Sequence, residues 1–222
     1  DASGQKLDTA MYSTYKRLRT WDNRIIHDSP LNRNLLQAFS QLYALKDKLR
    51  LSDTIIEQTA YIYRKAEERG LVRGRTISGM VAAAIYIACR EIGTPRTLKE
   101  IAAISNTKRK NIALCCRLLI GELDLIVPMA DPMKCIVKIA NKAELSEKIT
   151  RLAMNMMTEI IKSKISAGKN PMSFAATVLY ISSFKAGEKI TQLDIANAAG
   201  VTEVTIRNRV KELNKMVDST IH

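Results

Sequence analysis

The sequence has few of the residues from which metal sites and catalytic centres are built. Its 222 residues include two histidines, His27 and His222, and four cysteines that form no C-x-x-C pair. The spacing typical of zinc ligands is therefore absent from the sequence. It also has no Ser/His/Asp set and no glycine-rich phosphate loop. We expect no catalytic residues, no metal and no cofactor in this chain, and hence no enzymatic activity.

Long hydrophobic runs are also missing. No apolar stretch approaches 18 residues and no signal peptide is recognisable, so we expect neither secretion nor a membrane span. Each cysteine lies within an apolar stretch, where a reduced and buried thiol is the usual state. The four positions are Cys89, Cys115, Cys116 and Cys135. This pattern indicates a reducing compartment.

Positive charge is abundant. Lys and Arg total 35 against 22 Asp and Glu, which gives a net charge of +13. The excess is shared, with +8 in residues 1–130 and +5 in residues 131–222. A basic balance in both halves favours a polyanion or an acidic protein surface as the partner, although a protein that is merely soluble and basic is the alternative.

The chain repeats itself with an offset of 94 residues. Residues 74–123 align without a gap onto residues 168–217, and ten of the 50 aligned positions are identical, among them Gly93/Gly187 and Ile112/Ile206. Hydrophobic periodicity and cap residues predict only helices in each copy. The predicted ranges are 31–48, 53–69, 77–92, 98–105 and 108–123 in the first copy, and 131–142, 146–165, 171–186, 192–199 and 203–217 in the second.

The fold class is therefore all-α, with two tandem five-helix repeats and the third helix of each at the centre of its bundle. We divide the chain into an extension over 1–30, a first repeat over 31–127 and a second repeat over 128–222. The extension is basic and contains Tyr12, Tyr15 and Trp21. It is either a tail with an aromatic anchor or a linker that contacts nucleic acid.

The second repeat ends in a predicted helix-turn-helix, TQLDIANAAGVTEVTIRNRVKEL. Thr191 and Thr202 are the expected N-caps, and Gly200 is expected to end the first helix in a left-handed conformation. Ile195, Val201, Ile206 and Val210 would face inward, which frees the start of the second helix for a major groove.

One apolar residue, Val204, is predicted on the polar face of that second helix. Its methyl groups suit a thymine methyl, and Arg207 suits guanine or phosphate, although isolated exposed valines are common. The full set assigned to DNA contact is Thr191, Gln192, Thr202, Val204, Thr205, Arg207, Asn208, Arg209 and Lys211. In the first repeat Lys110 replaces Val204 and Leu114 replaces Asn208, next to Lys108 and Arg109. Three cations at a helix start suit phosphates or an acidic protein better than base edges, unless they form only a solvated face.

Two stretches, GRTISGMVAAAIYIACREIGTPRTLKEIAAIS and AGVTEVTIRNRVKEL, resemble the twin cyclin-like repeats of the transcription factor B family, the archaeal counterpart of eukaryotic transcription factor IIB. RIIHDSPLNRNL at 24–35 is similar to the segment that enters the first repeat in archaeal members. The resemblance covers the chain beyond residue 20. The family's zinc ribbon is expected only in a part that precedes this chain, and residues 1–30 would be the linker after it.

The resemblance implies a scaffold that binds the TATA-binding protein on promoter DNA, reads an upstream element through the second repeat and recruits RNA polymerase. It implies base contacts at Val204 and Arg207. It assigns Arg75, Arg90, Arg109 and Lys110 to the TATA-binding protein or to phosphate, and we add Lys108 to that group. Leu114 departs from the basic residue expected at its position. The expected protein is a monomer, cytoplasmic and nucleoid-associated if archaeal, nuclear if eukaryotic. A cyclin-like regulatory subunit of a kinase is the alternative function.

Overall fold

A computed structural model describes residues 13, 17, 30–163, 170–188 and 190–220. Every regular element within these ranges is a helix and none is a strand, which confirms the all-α prediction. The first five helices are α1 Pro30–Leu49, α2 Asp53–Glu68, α3 Ile77–Ile92, α4 Leu98–Ile104 and α5 Arg109–Glu122. The second five are α6 Pro132–Lys142, α7 Glu147–Lys162, α8 Pro171–Ala186, α9 Gln192–Ala199 and α10 Glu203–Thr220.

The two sets of helices repeat at the predicted offset. Both ends of α2 and α7, and both ends of α3 and α8, are separated by 94 residues. Backbone conformation repeats as well, because Gly93 and Gly187 are both left-handed, with φ of 78° and 79°. The predicted tandem five-helix repeats are therefore confirmed.

Several helices begin one residue later than predicted. Asp131, Ser146 and Lys108 were expected to be helical, but each is an N-cap with a non-helical backbone conformation. The reason is chemical for two of them, because the side chains of Asp131 and Ser146 accept hydrogen bonds from the N–H groups of Met133 and Ile149. An oxygen in that position satisfies a helical donor that has no partner within the helix. Ser52 is the N-cap of α2, although its hydroxyl bonds to that of Thr54 instead of a backbone N–H.

The described residues form two compact units. One contains the residues up to Ala88 together with Glu100–Leu125, and the other contains Cys89–Lys99 together with the residues from Ile126 onward. The end of α3 and the loop after it are therefore grouped with the second set of helices.

In the second unit, α8 lies at the centre and contacts each of the other four helices, α6, α7, α9 and α10. Its residues from Met172 to Leu179 are all buried, including the polar side chains of Ser173 and Thr177. Its start is fixed by Asn170, whose side chain accepts from two backbone N–H groups, and by Pro171 at the first helical position. The prediction of a central third helix is confirmed here.

The third helix of the first repeat is also deeply buried. In α3 the residues from Met80 to Ile85 are at most 2% exposed, so this helix too is buried on nearly every side. Fully burying one isoleucine such as Ile85 stabilises the fold by about 1.5–3 kcal/mol. Tyr63 of α2 is also buried and lies 6.5 Å from the Phe39 ring of α1, measured between ring centroids.

All four cysteines are free and buried, as the apolar stretches around them predict. Burial raises the pKa of the Cys116 thiol to about 12, so the thiol stays protonated at neutral pH. None of the helices in the described part of the chain is long and apolar enough to cross a membrane. Tyr12, Tyr15 and Trp21 of the extension lie outside the described residues.

Candidate nucleic-acid interface

The first helix of the predicted helix-turn-helix begins at a reciprocal cap. The Thr191 hydroxyl oxygen accepts a hydrogen bond from the N–H of Asp194 at 3.1 Å and donates its own proton to an Asp194 carboxylate oxygen at 2.6 Å. The carboxylate lies in the first turn of α9, where the helix dipole favours negative charge. This arrangement fixes where α9 starts, as the sequence predicts.

The turn between the two helices depends on Gly200. Its backbone is left-handed, with φ of 68°, a conformation that costs other residues free energy because of their Cβ atom. The turn lets the N–H of Val201 reach the carbonyl oxygen of Ala196 at 3.0 Å, which closes the end of α9. Two residues later Thr202 caps α10 by accepting from the N–H of Thr205 at 3.3 Å.

The inner faces of α9 and α10 pack into the core of the second unit. Ile195 and Ile206 are fully buried and Leu213 is 4% exposed. Val201 and Val210 are half-buried and pack against the same cluster. The inward positions predicted from the sequence are thus confirmed, and so is the register of α10.

The opposite face of α10 is open. Val204 is 58% exposed, and Asn208 and Lys211 are also exposed. These three side chains follow one another along the helix at the spacings of a single face, directly away from Ile206 and Leu213. An apolar group beside an amide and a cation on an accessible helix face is a composition suited to base edges and phosphates.

An ion pair borders this open face on each flank. On one side Arg207 Nη2 lies 2.5 Å from Glu203 Oε1, and on the other Arg209 Nη1 lies 2.6 Å from Glu212 Oε2. The Arg207 side chain is about twice as exposed as that of Arg209. Of the two arginines assigned to DNA contact, Arg207 is therefore the more accessible. The glutamate partners were missed from the sequence, although their spacing of three or four residues is readable there.

The remaining assigned residues lie at the helix starts. Thr191 is exposed, and the hydroxyls of Thr202 and Thr205 are 2.7 Å apart and bond to each other. Gln192 is half-buried, and its side-chain oxygen has no hydrogen-bond partner among the described residues. The structure brings these groups to the beginnings of α9 and α10.

The first unit has the same turn between α4 and α5, but the residues at the start of α5 differ in charge from those at the start of α10. Lys108 is the N-cap of α5 and its side chain makes no cap hydrogen bond, while Arg109 and Lys110 occupy the first helical positions. All three are exposed and the first turn contains no acidic residue. Cations beside the positive end of a helix are unfavourable for stability, so this cluster is not explained by the needs of the fold.

Arg75 and Arg90 each donate hydrogen bonds to backbone carbonyl oxygens. Arg75 belongs to the first unit, where its guanidinium bonds to the carbonyl oxygens of Leu71 and Arg73 at 2.9 and 3.3 Å. Arg90 belongs to the other unit and donates from Nε and Nη2 to the carbonyl oxygen of Pro128, at 3.1 and 2.7 Å. Arg90 thus ties the end of α3 to the segment before α6, a contact that only the tertiary structure reveals.

Together, the fold and the site define a class: an all-helical protein of two tandem five-helix repeats whose second repeat ends in a helix-turn-helix. Residues 31–120 and 126–216 each match the family described as "Transcription factor TFIIB repeat". The chain belongs to the transcription factor IIB family, in its archaeal form with two cyclin-like repeats. Members of this family are general transcription initiation factors, and it is not an enzyme family.

Archaeal relatives match over nearly the whole chain. Transcription initiation factor IIB of Saccharolobus shibatae is 43% identical over 221 residues, which is 100% of this chain and 72% of the relative. That of Ignicoccus hospitalis is 45% identical over 98% of this chain and 69% of the relative. That of Sulfurisphaera tokodaii is 42% identical over 97% of this chain and 70% of the relative.

Proposed function

We propose that this chain binds the complex of the TATA-binding protein with promoter DNA, and that it reads an upstream promoter element with α10. One observation carries the proposal: α10 presents Val204, Arg207, Asn208 and Lys211 to solvent from the end of a capped helix-turn-helix. A recognition helix of this kind enters the major groove by its N-terminal half.

In this proposal the two repeats have different roles in binding. The second repeat reads bases, whereas Lys108, Arg109 and Lys110 of the first repeat hold phosphates or an acidic surface of the TATA-binding protein. The division is supported by the first turn of α5, where the cation Lys110 takes the place of Val204. Reading by one repeat alone makes the complex asymmetric, so the same contacts orient RNA polymerase on the promoter.

Arg75 and Arg90 are proposed to contribute less to binding than Lys108, Arg109 and Lys110 do. Both guanidinium groups already donate to backbone carbonyl oxygens, so an outside partner must either compete with these bonds or use the remaining N–H donors. We retain them as secondary contacts, with the domain limits of 31–127 and 128–222 for the two repeats. The net charge of +13 supports a polyanionic partner for both repeats.

The test is a gel-shift titration of promoter DNA with this chain, with and without the TATA-binding protein. Alone, the chain should bind weakly and with a steep dependence on salt, because phosphate contacts dominate such binding. Adding the TATA-binding protein should tighten binding by at least tenfold. Equal affinity with and without that partner would contradict the proposal.

A further inference from the structure

The first turn of α10 contains one acidic residue on the side that the helix turns to solvent. Glu203 follows the N-cap Thr202, and one of its carboxylate oxygens lies 2.5 Å from Arg207 Nη2. The pair spans four residues with the acid N-terminal, which is the favourable order on a helix. The side chains are 39% and 54% exposed, so the pair is accessible to a ligand of α10.

Stability alone gives this pair little reason to exist. An exposed pair at this spacing contributes little to folding, because solvent screens it and two long side chains lose freedom. Within the described residues, α7 has a pair of the same kind, with Glu147 Oε1 2.6 Å from Arg151 Nη2 and the acid again first in its helix. That pair lies outside the helix-turn-helix and provides an internal reference.

The corresponding helix of the first repeat, α5, lacks this ion pair. At the offset of 94 residues Arg109 takes the position of Glu203, and Ala113 takes the position of Arg207. The acid and its arginine partner thus occur together in the repeat that presents Val204, and neither occurs in the repeat that begins α5 with cations.

A free arginine beside DNA is drawn to phosphate, because phosphate contacts are strong and independent of sequence. The Glu203 carboxylate opposes this in two ways. It holds the guanidinium at the first turn of α10, and it adds a negative charge that repels phosphate. The guanidinium is left with donors that can face a base edge. Arg209 and Glu212 do not serve the same purpose, because they lie on the other flank of α10 and the Arg209 side chain is largely covered.

We propose that Glu203 is a positioning residue for base reading: it directs Arg207 toward a base edge and away from the phosphate backbone. The proposal rests on the function proposed above. It assigns to Glu203 a role in specificity, distinct from the direct contacts of Val204 and Arg207.

The experiment compares Glu203→Gln with three other variants: Glu147→Gln, Arg207→Ala, and the double variant of Glu203 and Arg207. Each is titrated, with the TATA-binding protein present, against a promoter whose upstream element was selected from a randomised library and against one with that element scrambled. The quantity measured is the ratio of the two affinities, at two salt concentrations, with thermal melts alongside.

We expect Glu203→Gln to lower the ratio at least fivefold, mainly by raising affinity for the scrambled promoter, and to steepen the salt dependence on it. Glu147→Gln should leave the ratio within twofold of wild type. On the Arg207→Ala background, Glu203→Gln should change the ratio less than twofold, because the side chain that it positions is gone.

Failure of the role of Glu203 is distinguishable from failure of the proposed function. If wild type discriminates and Arg207→Ala abolishes discrimination, an unchanged ratio in Glu203→Gln overturns the role of Glu203 and leaves the proposed function intact. If wild type itself binds both promoters equally, the base-reading function is overturned, and the role of Glu203 with it. An equal effect of Glu203→Gln with and without Arg207 also overturns positioning, because Glu203 would then act independently of Arg207.

Discussion

Asn106 and Gly200 occupy the same position in the two repeats, 94 residues apart, and both have a left-handed backbone, with φ of 49° and 68°. Each ends a fourth helix and turns the chain into the fifth. Asparagine is one of the few side chains that visit this conformation readily, and glycine does so without steric cost. The turn geometry is therefore shared by both repeats, and only the residues after it differ in chemistry.

This relationship predicts how Gly200 responds to substitution. Gly200→Ala should lower the free energy of unfolding by about 1–2 kcal/mol, because a Cβ disfavours the left-handed conformation and no neighbouring atom lies within 4 Å to clash. Gly200→Asn should cost clearly less, since asparagine already serves at position 106. Thermal melts give the order, with about 2–4 °C per kcal/mol expected for a protein of this size.

The control for this prediction is Gly121→Ala in α5. Gly121 has an ordinary helical backbone, is exposed and has open space around it, so alanine should be neutral or stabilise by up to about 1 kcal/mol. A loss of stability there equal to that of Gly200→Ala would mean that the turn conformation is not the cause.

The sequence was sufficient for the features that depend on neighbouring residues. The bounds of α3 and α8 are those predicted, because Pro171, Gly93 and Gly187 mark their ends through local geometry. The helix predicted to run to residue 165 ends at Lys162 instead, and no glycine or proline marks that point. Thr191, Gly200 and Thr202 were predicted correctly as cap and turn residues, because capping involves groups within three or four residues.

Features that depend on distant residues were not predictable in this way. The bond from Arg90 to the carbonyl of Pro128 joins positions 38 residues apart. Burial of Glu67 was not expected either, because its neighbours Lys65, Glu68 and Arg69 are all exposed and charged. Hydrophobic patterning identifies which face of a helix is inward, but it does not identify a polar residue that the packing encloses.

Charge reversal at the start of α5 should stabilise the fold of this chain and at the same time weaken its complex with the TATA-binding protein and promoter. Lys110→Glu removes a cation from the positive end of the helix and adds an anion there, so the free energy of unfolding should rise by about 0.3–1 kcal/mol. If Lys108, Arg109 and Lys110 hold phosphate or an acidic partner, the same change should weaken the complex with the TATA-binding protein and promoter several-fold. The loss should be the same on every upstream sequence, because these residues are proposed to read no bases.

The matched variant is Arg117→Glu, which makes the same change in charge at an exposed position later in α5. It should weaken assembly less than Lys110→Glu does. Equal effects would indicate that only net charge matters, and an effect confined to certain upstream sequences would contradict the division between a reading and a holding repeat.

Glu67 should make stability depend on pH. It is 8% exposed, and neither carboxylate oxygen has a hydrogen-bond partner in the described part of the chain. Burial raises the pKa of this carboxyl above its ordinary value, so the folded protein holds this proton to a higher pH than the unfolded chain does. Stability is then greatest below the unfolded pKa and falls as pH rises through the folded pKa.

Glu67→Gln should therefore raise the melting temperature at neutral pH, because the amide is uncharged and its burial costs less than that of a carboxylate. The gain should shrink as pH falls below about 4, where the wild-type carboxyl is mostly protonated in both states. Melting curves across that range test this, with Glu68→Gln as the variant that removes the same charge at the exposed neighbouring position. A gain that does not vary with pH would contradict an ionised, unpartnered Glu67.

Val204 offers the most direct test of base reading. Its side chain is 58% exposed and faces away from Ile206 and Leu213, so Val204→Ala should leave the melting temperature almost unchanged. If its methyl groups contact a thymine methyl, the variant should lose part of the discrimination between the selected and scrambled upstream elements. The loss should be smaller than the roughly 1–3 kcal/mol expected for Arg207→Ala, because valine offers apolar contact only.

The DNA provides the matched control for this prediction. Replacing each thymine of the upstream element by deoxyuridine, one at a time, removes only the C5 methyl group that valine would contact. At one position the wild-type protein should lose affinity on this replacement while Val204→Ala should not, because a contact already absent on one side cannot be lost again on the other. If no thymine shows this coupling, Val204 makes no methyl contact. A large fall in the melting temperature of Val204→Ala would instead place the side chain in the core, contrary to the exposure of this face of α10.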